Sequence, residues 1–222
     1  MVVSIRRGVV VVVILAAASG AVGCGTVTGG RDGAAGQDAD TPDVPTTIDA
    51  PAGQDATGAD ADADECTIKI NEVQTGGATA LDEFIELYNT CPDRAFSLAG
   101  HSLVYRAATG AGDFPRVTFT VETIAAGKPY FVCANSGFAG TADAHYTDGL
   151  ALDGGGLALR GPDGNIVDAV GWGSAANAFV ETAPAAAPAA AQSIARQPDG
   201  HDSDDNAHDF EIAATPSPGA SN

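Results

Sequence analysis

The densest run of chemistry-bearing side chains lies near the C-terminus. Asp199-Gly200-His201-Asp202-Ser203-Asp204-Asp205-Asn206-Ala207-His208-Asp209 gathers carboxylates and two imidazoles into a short stretch. Its candidate metal ligands are Asp199, His201, Asp202, Asp204, Asp205, His208 and Asp209. Calcium would use the carboxylates, because hard cations take oxygen; zinc or copper would prefer the two imidazoles. A solvated acidic loop is the plainer alternative, so no cofactor is expected, and calcium is the ion to set against that expectation.

Other candidates carry less. His101 and His145 complete the four histidines, and none of the four stands in a recognised catalytic spacing. No Gly-x-Ser-x-Gly turn presents a serine nucleophile. Asp153-Gly154-Gly155-Gly156 lacks the following Lys and helix that a phosphate cradle needs, and reads as a tight turn before a strand. The tract from Asp55 to Asp64 alternates Asp with small residues but lacks the Gly turn and bidentate Glu of a tight calcium loop. Trp172, between Gly171 and Gly173, fits either a buried core residue or an exposed contact for a partner. No hydrolytic constellation emerges, and the chain is expected not to be an enzyme.

The N-terminus points to export. Arg6 and Arg7 precede an apolar run from Val9 to Ala18, too short to span a bilayer, and small residues lead to Cys24. Ala21-Val22-Gly23-Cys24 resembles a lipobox, the bacterial motif cut and acylated at cysteine, with Ala21 where Leu is usual. That resemblance implies a signal peptide over 1–23 and lipidation of Cys24; ordinary signal cleavage with Cys24 as a bystander is the alternative. Several acyl chains anchor stably where one does not. By the same resemblance, Gly25 favours the outer membrane of the cell envelope.

Residues 24–65 then read as a disordered acidic linker of Gly, Ala, Asp and Pro, with too little apolar surface to offset the entropy of ordering. Residues 25–65 hold ten acidic side chains and one basic, and residues 66–222 nineteen and seven, within a total charge of −19. Both parts would repel a phosphate backbone, so nucleic acid is not an expected partner.

From Cys66 the texture becomes that of short strands. Period-two segments occur at 67–73, 83–89 and 117–121, with shorter ones at 103–105, 130–133, 157–159 and 166–170, most bounded by Gly, Pro, Asn or Asp. Arg160-Gly161-Pro162-Asp163-Gly164-Asn165 signals a hairpin. The Ala/Pro run 183–191 reads as an irregular loop before an edge strand over 192–196. No segment shows a sustained helical period with caps. The pattern predicts an all-β domain over 66–222, an antiparallel β-sandwich.

With Cys24 acylated, Cys66, Cys91 and Cys133 remain in an oxidising compartment. If the first two strands pair with Val73 opposite Glu83, Cys66 falls within one residue of Cys91. A Cys66–Cys91 disulfide is therefore expected, with Cys133 buried on its strand; Cys91–Cys133 is the rival pairing.

An ordered set of segments resembles the lamin tail domain, an immunoglobulin-like sandwich. It comprises Ile70-Asn71-Glu72-Val73, Glu83 to Asn89, Leu98-Ala99-Gly100-His101-Ser102-Leu103 with His101 where an aromatic is usual, Ile124-Ala125-Ala126-Gly127 with Tyr130-Phe131-Val132, Gly164 to Asp168, Gly171-Trp172-Gly173, and the ending Thr215 to Asn222. The resemblance implies the fold, a binding or structural role, and no catalytic residues. The expectation is a membrane-tethered lipoprotein whose sandwich meets an envelope or extracellular protein or glycan. A calcium-dependent adhesion or matrix module, or an accessory domain beside a separate secreted hydrolase, is the alternative.

Overall fold

A computed structural model describes residues 66–222; the signal peptide, Cys24 and linker expected over 1–65 lie outside the described residues. The described chain is built of strands: β1 (Ile68–Gln74), β2 (Phe84–Asn89), β3 (Phe96–Ser97), β4 (Ser102–Ala107), β5 (Phe114–Thr118), β6 (Thr123–Ile124), β7 (Tyr130–Asn135), β8 (Ala144–Tyr146), β9 (Gly154–Arg160), β10 (Ile166–Gly173), β11 (Ser193–Arg196) and β12 (Phe210–Ala213). A single-turn helix, α1 (Asn206–Asp209), precedes β12. Six strands form one sheet in the order β12-β11-β1-β2-β7-β8, four form a second in the order β10-β9-β4-β5, and β3 pairs with β6. All neighbours are antiparallel except β7 and β8.

Alternation decides which side chains the sheets share. Ile68, Ile70, Ile85 and Leu87 from the larger sheet meet Leu103, Leu157, Leu159 and Val170 from the smaller, all fully buried. Period two delivers them because successive strand residues point to opposite faces. The Gly161–Gly164 turn closes the β9–β10 hairpin as expected. Gly164 N–H donates to the Gly161 carbonyl at 2.9 Å, and Gly164 takes the left-handed φ of +81° that glycine tolerates best.

Two sequence expectations are corrected. The 192–196 segment is not an edge: β11 lies between β1 and β12, because the chain returns after α1 to add a last strand outside it. The register also differs, with Val73 opposite Ile85 instead of Glu83. A bulge between Ile70 and Glu72 places an extra residue on β1 and shifts the pairing across it.

On the near side of that bulge, Ile68 pairs with Asn89, a register that carries Cys66 directly to Cys91. The two are disulfide-bonded with Cα atoms 5.3 Å apart, and Cys133 is a free, buried cysteine on β7. Cross-linking over this loop restricts the unfolded chain, and reduction should lower stability by about 3 kcal/mol. Thermal unfolding with and without reductant reads this directly. Cys133, whose thiol burial pushes well above its ordinary pKa, should stay unmodified by alkylating agents until the domain unfolds.

Candidate functional site

A cluster of charged residues from both sheets and the 199–209 loop gathers on Arg196, at the end of β11. Its side chain is wholly buried. Nε donates to the Ile70 carbonyl at 2.9 Å, beyond the end of the β1–β11 pairing. Nη2 donates to Asp168 Oδ1 at 3.0 Å. Nη1 donates to the His201 carbonyl at 2.6 Å and faces Asp202 and Asp209 at 3.2 and 3.3 Å. The guanidinium also lies over the Phe210 ring, 4.5 Å from its centroid. Lys69 adds a second cation, pairing with Asp168 at 3.4 Å and hydrogen-bonding Asp202. Burial pushes the Asp168 carboxyl up to about 6, against the pull of Arg196, Lys69 and the Ile70 amide.

Beside this hub the last residues of the chain cover the sheet. Glu72 and Glu86 both point outward from their strands, yet both are fully buried. Glu72 accepts from Ser193 Oγ at 2.5 Å and from the Ser217 amide at 3.0 Å. Glu86 accepts from Asn71 Nδ2 at 3.0 Å and from the Gly219 amide at 2.6 Å. Asn222 reaches back to the Asn71 and Arg196 carbonyls at 3.4 and 3.3 Å. The Thr215–Asn222 ending is thus a strap whose backbone amides satisfy two buried carboxylates of β1 and β2. Such groups would otherwise be costly to remove from water.

Burial pushes the Glu86 carboxyl up to about 8, opposed by Asn71 and Gly219 and assisted by the nearby Glu72 and Asp199 charges. A folded pKa above the unfolded one means that the native state holds a proton which the unfolded chain has shed. Stability from this group is therefore full below the ordinary carboxylate pKa and falls as pH rises to about 8, by at most about 1.4 kcal/mol per pH unit. Glu86→Gln gives up one hydrogen-bond partner and starts lower. Its melting temperature should nevertheless fall less steeply between pH 5 and 8 than the wild type's. Glu72 and Glu181, also raised by burial, retain the residual slope. Melting curves across that range check the difference; parallel slopes would contradict it.

The structure divides the residues singled out over 199–209. Asp199 is committed to Asn71, to the Tyr130 hydroxyl at 2.7 Å and to the Asn222 amide. Asp202 belongs to the Lys69 and Arg196 pairs. Asp205 caps α1, accepting from the Ala207 amide at 3.2 Å. Asp204 is exposed, in a left-handed conformation with φ of 58°. His201, His208 and Asp209 come together, with one ligand atom of each within 4.8 Å of the others. Asp209 is fully buried: burial alone would raise its carboxyl, but hydrogen bonds from Ser203, with His208 and Arg196 beside it, outweigh that and hold it near 2.

Ser203, His208 and Asp209 are not arranged as a nucleophile with its base. Ser203 Oγ and Asp209 Oδ1 both face the same ring nitrogen, His208 Nδ1, at 3.4 and 3.5 Å, and the Ser203 hydroxyl donates to Asp209 at 2.6 Å. A relay needs the two imidazole nitrogens facing different partners.

Trp172 has no exposed surface. Its indole N–H donates to the Ala151 carbonyl at 3.0 Å and its ring packs against Tyr105. The reading of Trp172 as a partner contact is corrected accordingly, because a side chain sealed in the core offers nothing to a partner. Gly155 of the glycine run sits against this pair, where a Cβ would come within 2.5 Å of the Tyr105 ring. The run is there for close packing. His101 fills an aromatic's place, with its ring 5.7 Å from Phe96 and its Nδ1 3.1 Å from the Leu98 carbonyl.

Sequence reasoning missed Arg196, Asp168, Asn71 and Asn206. Asn206 Oδ1 accepts from the Gly171 and Glu181 amides at 2.9 Å, and so ties α1 to the β10 edge. A charged residue ending an apolar strand was the available signal for Arg196.

A two-sheet antiparallel sandwich with one strapped outer face is an immunoglobulin-like architecture of the structural-domain class. The chain belongs to the lamin tail domain family, whose model matches residues 61–174. No curated protein matches the chain.

Proposed function

We propose that this chain is an exported lipoprotein, cut before Cys24 and acylated there, that carries its lamin tail domain on an acidic tether as a non-enzymatic binding or structural module at the cell envelope. One observation carries the non-enzymatic part. Among the described residues, the carboxylates, amides and guanidinium that could do chemistry are largely engaged in holding the domain's own strands, strap and loop together. The tethered part rests on the order of charge, apolar run, small residues and Cys24. A net charge of −12 over 66–222 turns the partner search from nucleic acid toward proteins or glycans.

Cross-linking in intact cells, with photoreactive side chains at exposed positions such as Phe114 and Val121, tests the reading. Discrete adducts to envelope protein or glycan are expected, together with no turnover of ester, phosphate or glycoside substrates. Turnover abolished by a single side-chain substitution would overturn it.

A further inference from the structure

We propose that His201, His208 and Asp209 form a binding site for one divalent transition-metal ion of the zinc type, at the surface beside the start of β12. Their ligand atoms lie within 4.8 Å of one another. Asp209 Oδ1 is 3.6 Å from His201 Nε2 and 3.5 Å from His208 Nδ1. These separations are too long for charge-assisted hydrogen bonds, which run about 2.7–2.9 Å. They are close to the edge of a tetrahedron drawn around zinc with bonds of about 2.0–2.2 Å, which is about 3.3–3.5 Å. Asp209 is thus spaced from each imidazole as a fellow ligand of a common ion more than as a hydrogen-bond partner.

The carboxylate is also built as a ligand should be. Asp209 is buried and fixed from behind: Ser203 Oγ donates to Oδ1 at 2.6 Å, and the Ser203 amide and Arg196 Nη1 approach Oδ2 at 2.9 and 3.3 Å. Such outer partners orient a ligand before the ion arrives. The imidazoles, by contrast, are accessible, with side chains 40% and 70% exposed. The helical turn α1 sets His208 beside Asp209, and a hydrogen bond from the His201 amide to the Pro198 carbonyl at 3.0 Å holds the facing loop.

Donor chemistry selects the ion. Two imidazoles and one carboxylate suit zinc or copper(II), whereas calcium needs six or more oxygens. The oxygens nearby are not free for it, since Asp199, Asp202 and Asp205 are engaged elsewhere. A second convergent group, Asp168, Glu181 and Asp202, already faces Lys69 and Arg196 and is a cation-balanced cluster. With three protein ligands, the fourth position would open to solvent, for water or for an imidazole or carboxylate of a partner.

Titration calorimetry of the full-length chain in detergent, using zinc alone, tests the proposal. One ion per chain is expected, with a rise in melting temperature. His201→Ala and His208→Ala each remove a ligand and should weaken binding by more than the roughly tenfold that loss of an outer partner costs, while lowering the metal-free melting temperature little, since both rings are exposed. Ser203→Ala should weaken it less than either. Absence of zinc binding, or zinc binding that survives the double His201→Ala/His208→Ala variant, would overturn the proposal. A response to calcium and not to zinc would do the same.

Discussion

Replacing Arg196 with methionine should destabilise the domain by about 3–5 kcal/mol, the usual cost of removing one partner of a buried ionic cluster. In a domain of this size that is a fall of about 6–20 °C in melting temperature. The loss of the guanidinium as a contact is the smaller part. Asp168 and Asp209 would remain buried without their common cation, and the Ile70 and His201 carbonyls without a donor. Lysine at the same position should recover only part of the loss, because a single ammonium cannot reproduce donors spread over Nε, Nη1 and Nη2. Adding Asp168→Asn to Arg196→Met should cost less than the two changes summed, as expected for residues in direct contact. Urea unfolding of the single and double variants measures each term; a loss below about 1 kcal/mol for Arg196→Met would contradict the assignment of Arg196 as the hub.

Trp172→Ala should cost a similar amount, about 3–5 kcal/mol, for a different reason. The change removes the largest fully buried side chain and leaves a cavity between the sheets beside Tyr105 and Gly155. The Ala151 carbonyl loses its donor as well. The rigid neighbours in β9 and β10, paired over seven positions, limit how far the site can collapse. Trp172→Phe keeps most of the packing and should lose substantially less. The paired unfolding experiments separate a core role from a surface one: an exposed contact residue would tolerate both substitutions within about 0.5 kcal/mol.

How legible all this is in the sequence depends on the range of the interaction. The strands around Ile70 and Ile85, the Gly161–Gly164 turn and the Cys66–Cys91 bridge rest on local alternation, turn chemistry and one hairpin, and these are readable residue by residue. The register of that hairpin was not, because a bulge at Asn71 adds a residue without leaving a mark in the hydrophobic pattern. The outer face was also hidden. Period two separates Ile85 from Glu86 but does not reveal that Glu86 is covered, since the cover is a polar ending 133 residues away. The β11 position was misjudged for the same reason: only β12, formed after the loop and α1, turns it into an inner strand. The acidic 199–209 stretch displayed its donors in sequence, yet their division among hub, cap, strap and the His201–His208–Asp209 group is set by folding across the sheet.

The most direct test of the tethered-module account is the intact mass of the mature protein extracted from membranes of its native host. The account predicts a chain beginning at Cys24 with added acyl mass and one disulfide retained. A chain beginning at an unmodified Cys24, or cut elsewhere and found free in the medium, would contradict it and leave a lamin tail domain without an anchor.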